Sequence, residues 1–429
     1  MSTLNTYALP TAWNNPGSLD SAFAIGGVAQ VYFAGSLSSL TQHVTLDAQG
    51  RILVAAKVGT ANGSRFGLAR LLADGSADLS FGHQGSVIGS FVKGFEARAG
   101  KVQVLPDGRI MLAGLHYENT HRTLPALALF DANGQPDQRF GADGFQVVRL
   151  PGDLSMGTRD SWLPPGVPGV EACDFAVQED GHILLIANHH FSLADHAGML
   201  IRLEPDGGLD QSFNGRGFVM VRHLLLNTWL STLLLKQDGR IVVAGSIDFP
   251  QQGLLAVYRP DGSLDERFAV DGFMAFKAQG NSAQVNQIIE SEDRLYCFGS
   301  SRDPTRCLTF VLHTNGRPDL HCHHGLPQVL DIGPSGCQWN AAQLMSDGRI
   351  IAVGATIGGV EADFMVARYQ RNGSLDPEFG QGHGWLRTRL GRSLDTANSL
   401  AVQADGAIVV GGYSLDGNYR ALVARYLNQ

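Results

Sequence analysis

GSLDERF, residues Gly262–Phe268, is one of seven versions of a single phrase, and the other six flank it on both sides. Downstream stand GRPDLHC (Gly316–Cys322) and GSLDPEF (Gly373–Phe379). Upstream stand GGLDQSF (Gly207–Phe213), GQPDQRF (Gly134–Phe140), GSADLSF (Gly75–Phe81) and GSLDSAF (Gly17–Phe23). All seven keep the Asp and six keep the Phe. A second phrase alternates with the first: a tight turn followed by an apolar run, clearest as DGRIMLAG (Asp107–Gly114), DGRIVVAG (Asp238–Gly245) and DGRIIAVG (Asp347–Gly354). Successive phrase aspartates are 58, 59, 73, 55, 54 and 57 residues apart. Self-similarity at such a period marks a repeat architecture.

Each repeat parses into four strands. In the second, KVQVLP (Lys101–Pro106) leads through Asp107-Gly108 into RIMLAG (Arg109–Gly114), a hairpin signal. PALALFD (Pro125–Asp131) and GFQVVRL (Gly144–Leu150) follow. These runs are rich in Val, Ile, Leu and Phe and lack a 3.6-residue period, so the chain reads as all-β. Seven repeats of four antiparallel strands predict a seven-bladed β-propeller. The phase of the chain ends predicts a closed ring. The chain begins in the second half of a repeat, with GSLDSAF and the strand GGVAQVYF (Gly26–Phe33). It ends with the first half of one, in three strands at Ser399–Gln403, Ala407–Gly412 and Ala421–Tyr426. Joined, the fragments make one blade and remove two sheet edges that would otherwise invite aggregation. The expected domains are a tail over 1–16 and one propeller over 17–429.

Composition narrows the function classes. Of 429 residues, 44% are hydrophobic, enough for a large core, while 17% are charged and 53 are Gly, as expected of many short strands joined by turns. The net charge of −8 and the lack of a Lys/Arg-rich run argue against a nucleic-acid partner. The N-terminus has neither the basic nor the apolar region of a Sec-type signal, and no apolar run is long enough to span a membrane. A cytoplasmic location is the default, with export by another route left open. The five cysteines show no CxxC spacing, so no disulfide framework is expected. Cys297 and Cys307 flank one hairpin and are placed to face each other as buried thiols.

The constant residues have structural roles to fill. The Gly residues supply turns with positive φ. The phrase Asp is expected to accept backbone N–H groups in its own turn, and the Phe to plug the space between blades. Arg70, Arg202, Arg368 and Arg425 recur in the third strand and are expected to pair with turn carboxylates. Taken together, the DGRI-V-A-G, Ala-Arg-Leu/Tyr and DGSLD-x-x-F-G patterns resemble the delta-60 repeat family, a bacterial β-propeller repeat of unknown function, over nearly the whole chain. The resemblance implies a propeller and carries over no catalytic residue. The chain departs from the pattern at Cys322, which replaces the Phe of the sixth phrase. It departs also at His182 and Ala407, which replace the Arg of the DGRI turn.

Propeller loops segregate by face. The Asp-Gly turns and Asp/Phe phrases share a uniform face, and the loops after the second and fourth strands share a variable one, where function is expected. The longest departure, Pro151–Val170 before blade three, holds Asp160 and Trp162. The candidate ligand-binding residues around the channel mouth are Trp162, Trp229, Asn227, Trp339, Asn340 and Tyr117, aromatic and amide groups suited to a protein or carbohydrate partner. The alternative is a lyase or hydrolase with His189, His190 or His121 as base and Asp174, Asp160 or Asp195 orienting it. His321 and His323, in the run His321-Cys322-His323-His324, are the metal candidates. Adjacent side chains point apart and no HxxxH or CxxC spacing supports them, so neither a metal nor a cofactor is expected.

Overall fold

In the computed structural model, residues 15–119, 122–150, 173–192, 195–248, 251–302, 304–332, 336–357 and 362–429 are described. His121, Trp162 and the whole stretch 151–172 lie outside them. The chain forms seven four-stranded antiparallel sheets, set edge-on around a ring in which each innermost strand neighbours the next. Blade six is typical: Gly336–Leu344 is innermost, followed outward by Ile350–Ile357, Phe364–Tyr369 and Trp385–Thr388. The middle strands bury both faces because each is covered by the neighbouring blades, and they read as continuous apolar runs for that reason.

Blade seven closes the ring as the chain ends predicted. Val28–Gln30 pairs antiparallel with Asn418–Tyr426, which pairs with Ile408–Asp416, which pairs with Leu394–Val402. Strand lengths differ from the sequence parsing. Inner strands run as long as nine residues and fourth strands shrink to three or four, as in Phe145–Val147 against the expected Gly144–Leu150. The outermost strand has a partner on one side only, so fewer of its residues are held in the ladder.

Among the described residues, six inner strands carry a β-bulge at the same register, between Thr41/His43, Ala99/Lys101, Leu230/Thr232, Val285/Gln287, Trp339/Ala341 and Ala397/Ser399. The extra residue is Asn in blades five to seven, and its amide crosses to the next blade. Asn286 Nδ2 donates to the carbonyl of Trp339, Asn340 Nδ2 to Ala397 and Asn398 Nδ2 to Thr41, each at 2.8 Å.

The uniform face is a lattice made of the two phrases. The six phrase Phe side chains are at most 2% exposed. Each packs on the phrase Gly of the following blade, so closely that a Cβ on Gly134 would stand 2.9 Å from the Phe81 ring and one on Gly75 2.7 Å from Phe23. Those glycines also hold φ near +87°, so position and space both exclude a side chain. Gly and Phe therefore recur together because each blade's Phe reads its neighbour's Gly. The phrase Asp accepts the N–H two residues on, as at Asp78, Asp137, Asp210 and Asp376. Arg70, Arg202, Arg368 and Arg425 donate from Nε to Asp78, Asp210, Asp376 and Asp20, and from Nη1 to a carbonyl of the next blade. Each guanidinium also lies 4.7–5.0 Å over its phrase Phe ring.

The cysteines pair differently from expectation. Cys297 faces Phe310 across the hairpin and Cys307 faces Ser300, because three residues separate their registers. Cys307 instead meets blade six, its N–H donating to Cys337 Sγ at 3.0 Å. All five thiols are free, and burial raises those of Cys173 and Cys297 to about 12.

Candidate functional site

On the variable face, blades three and four bring together a group that spacing does not reveal. The strands Ile183–Ser192 and Asp195–Leu203 form a hairpin that sets His190 opposite His196. Trp229 comes from the innermost strand of blade four, Thr228–Leu235, and Asp248 follows that blade's second strand, Ile241–Ile247. The His196 ring stacks on Trp229 with centroids 4.0 Å apart, and His190 lies 5.1 Å from Trp229 and 5.4 Å from His196. Trp229 Nε1 donates to Asp248 Oδ1 at 2.6 Å, and His196 Nε2 lies 2.9 Å from Asp248 Oδ2. Burial first, then the neighbouring His196 and His189, pull the His190 imidazole down to about 4, against an opposing pull from Asp248. It is therefore neutral at pH 7.

Beside this stack the chain turns at His223–Leu226, closed by the Leu226 N–H donating to the His223 carbonyl at 2.9 Å. Both central residues have positive φ, 51° at Leu224 and 61° at Leu225. That is the pattern of a type I′ turn, whose central positions normally hold Asn-Gly. Here they hold two leucines, 78% and 87% exposed. Arg222 anchors the turn, pairing with Asp195, reaching Asn227 Oδ1 at 3.4 Å and lying 5.4 Å over the Phe191 ring.

A second polar group lines the axial channel, a cavity of about 520 Å³ bounded by inner strands. His43, Lys101 and Asp174 line it from three successive blades, and the buried Thr232 follows in the fourth. Asp174 Oδ1 accepts from Lys101 Nζ and from the Phe175 N–H. Its Oδ2 accepts from Thr232 Oγ1 at 3.0 Å and the Leu233 N–H at 2.9 Å. This carboxylate bridges blades two, three and four. Enclosure, then Lys101, lowers the His43 imidazole to about 3, with Asp174 opposing.

The residues singled out from sequence scatter among these places. His190, Trp229 and Asn227 meet at the variable face. His189 is turned the other way along its strand, lining a shallow cleft between blades two and three with Leu124 and Pro125. Tyr117 is half-buried in the second strand of blade two, opposite Thr123. Asp174 belongs to the channel, and Asn340 spends its amide on Ala397. Trp339 is fully buried, its Nε1 donating to Tyr369 Oη at 3.1 Å. His323 Nε2 lies 3.2 Å from the Gly373 carbonyl, and His321 donates its backbone N–H to Asp319. His196 stood near the candidates in sequence. Asp248 carried no signal, because it lies a blade away in the chain.

Among the described residues, no helix is long and apolar enough to cross a membrane. No curated protein matches the chain in sequence. Several solved structures align with most of its length. A streptogramin B lyase is 10% identical over 92% of this chain and 96% of its own, with a TM-score of 0.46. A catalytically inactive virginiamycin B lyase from Staphylococcus aureus with quinupristin is 9% identical over 92% and 98%, at 0.48. A protein of unknown function from Dyadobacter fermentans is 10% identical over 93% and 100%, at 0.49. Likenesses this distant say nothing about the chemistry of the present chain. The family described as a domain of unknown function (DUF5122) beta-propeller, related to the delta-60 repeat, has a model that matches residues 49–81, 236–268, 346–379 and 403–429, within blades one, four, six and seven.

Proposed function

We propose that the protein is a non-enzymatic binding propeller that holds a protein partner on the variable-loop face of blades two to four. The observation that carries this reading is the Leu224-Leu225 turn. Two large apolar side chains stand in solvent on a backbone that L-residues adopt only at a cost of about 1 kcal/mol or more each. Folding alone favours Asn-Gly there, so the leucines answer to something outside the chain. Exposed apolar side chains fixed on a rigid support suit a protein surface. A carbohydrate needs an open aromatic face, and Trp229 is 5% and Trp339 0% exposed.

The lyase or hydrolase alternative asks His190 to act as a base. An imidazole held near 4 is a weak one, far from the pKa that serves proton transfer at neutral pH. If a substrate is found, joint substitution of His189 and His190 is the discriminating change.

The test replaces Leu224→Asn with Leu225→Gly, the pair the turn geometry prefers. The double variant should gain about 1 kcal/mol of stability, read by denaturant unfolding. It should also fail to retain the partner that the immobilised full chain recovers from its own cell extract. Equal recovery by both proteins would remove the reading, and the stability gain shows that any loss is not misfolding.

A further inference from the structure

Blade three breaks the lattice of the uniform face at one point. In blades one, two, four and six the turn arginine (Arg51, Arg109, Arg240, Arg349) contacts both its turn aspartate and the phrase aspartate of its blade. In blade three His182 takes that place. Its Nδ1 lies 3.0 Å from Asp180 Oδ2, while its Nε2 lies 3.1 Å from Glu204 Oε2 and 3.9 Å from Asp210 Oδ2. Blade six sets two carboxylates, Asp347 and Asp376, against two guanidiniums, Arg349 and Arg368. Blade three sets three carboxylates, Asp180, Glu204 and Asp210, against the one guanidinium of Arg202. The three carboxylates and the one guanidinium sum to a charge of −2, which one divalent cation would balance.

We propose that His182 Nε2, Glu204 and Asp210 bind a divalent transition cation of the zinc class, with Asp180 holding the imidazole in place. One atom from each of the three residues lies within 4.8 Å of the others. Ligand atoms at about 2.1 Å from a tetrahedral ion stand roughly 3.4 Å apart, and the two histidine–carboxylate distances bracket that value. A metal-bound imidazole usually gives its second N–H to a carboxylate, which fixes the tautomer and aims the ring. Asp180 Oδ2, 3.0 Å from the buried Nδ1, is the carboxylate within reach of that N–H, although the two are not aligned as a hydrogen bond in the metal-free arrangement. Asp210 Oδ2 also accepts from Arg202 Nε, and its Oδ1 accepts from the Ser212 N–H and Oγ, so that ligand is held from behind. Glu204, 44% exposed, is the arm free to adjust. The nitrogen donor selects against magnesium and calcium, which favour all-oxygen sites, and for zinc, cobalt or nickel. The ion would tie the turn of blade three to its phrase, the link that arginine makes in the sister blades.

Chelator-treated full-length protein is titrated with Zn²⁺ by calorimetry and with Co²⁺ by visible absorption. Thermal unfolding is followed with each ion and with Ca²⁺. One equivalent of Zn²⁺ should bind and raise the melting temperature, Co²⁺ should give a tetrahedral d–d band, and Ca²⁺ should do neither. His182→Arg restores the arrangement of four other blades, so it should melt no lower than the metal-free parent while losing the Co²⁺ band and at least tenfold in Zn²⁺ affinity. Glu204→Gln, at an exposed position, should weaken Zn²⁺ binding without altering the metal-free melt. A parent chain that binds no Zn²⁺, or a His182→Arg protein that binds it as tightly as the parent, overturns the proposal.

Discussion

The two faces of this propeller are built from the same seven hairpins and treat polar groups in opposite ways. On the uniform face an arginine such as Arg368 is 1% exposed, bonded to Asp376, to the next blade's Asn428 carbonyl and over the Phe379 ring. On the variable face Arg222 pairs with Asp195, whose side chain is half exposed, and the neighbouring leucines touch solvent. One face spends its side chains on holding the ring shut. The other lends its side chains to shapes that the ring does not need.

Removing the first thirty-three residues attacks the uniform face at its seam. It deletes Asp20, the partner of Arg425, together with Phe23 and the strand that completes blade seven. Loss of the buried Phe23, Val31 and Phe33 should cost on the order of 5 kcal/mol and expose a sheet edge. A truncated protein as heat-resistant and monodisperse as the full chain, by melting and size-exclusion chromatography, would break the comparison outright.

Arg368→Ala should cost about 3 kcal/mol in denaturant unfolding, because it removes the nearer of the two guanidiniums that balance the buried Asp376 carboxylate and leaves Arg349 alone at 3.3 Å. Arg222→Ala on the opposite face should cost less than about 1 kcal/mol, as a part-exposed pair does. Similar losses at the two sites would erase the distinction between the faces.

Acid supplies a gentler probe. At Asp137 the Arg139 guanidinium holds the carboxyl down to about 2. At Asp319 burial pushes upward, but Arg294, the His321 N–H and Cys322 together outweigh it and leave the group at about 2. Because these folded-state values lie below the ordinary aspartate value, their stabilisation is complete above about pH 4 and fades as pH falls towards 2. The melting temperature should therefore drop across that window, less steeply in Asp319→Asn. Equal slopes would show that the phrase aspartates do not govern the acid limb.

Much of the uniform face was legible because its logic repeats. Gly134 and Phe81 belong to different blades, yet the phrase repeats Gly seven times and Phe six times at fixed places within it, which marks both as structural and the Phe as a plug between blades. The variable-face stack has no such redundancy. His190, Trp229 and Asp248 occur together once, and nothing in their spacing announces contact. Trp339 misled for a local reason: it shares a strand face with Cys337, which is also fully buried, and the bulge at Trp339/Ala341 comes only after it, so ordinary alternation turns its ring into the core.

By itself the sequence determined how many blades there are, how their strands pair and that head and tail share one sheet. Those features rest on hairpin turns and apolar runs that act over a few residues and are written again in every repeat. Only the tertiary structure decided which unrepeated side chains become neighbours: His196 on Trp229, Cys307 beside Cys337, Glu204 beside His182. Such contacts join separate strands, hairpins and blades, and their geometry follows from bulges, ring curvature and turn shape rather than from any local pattern.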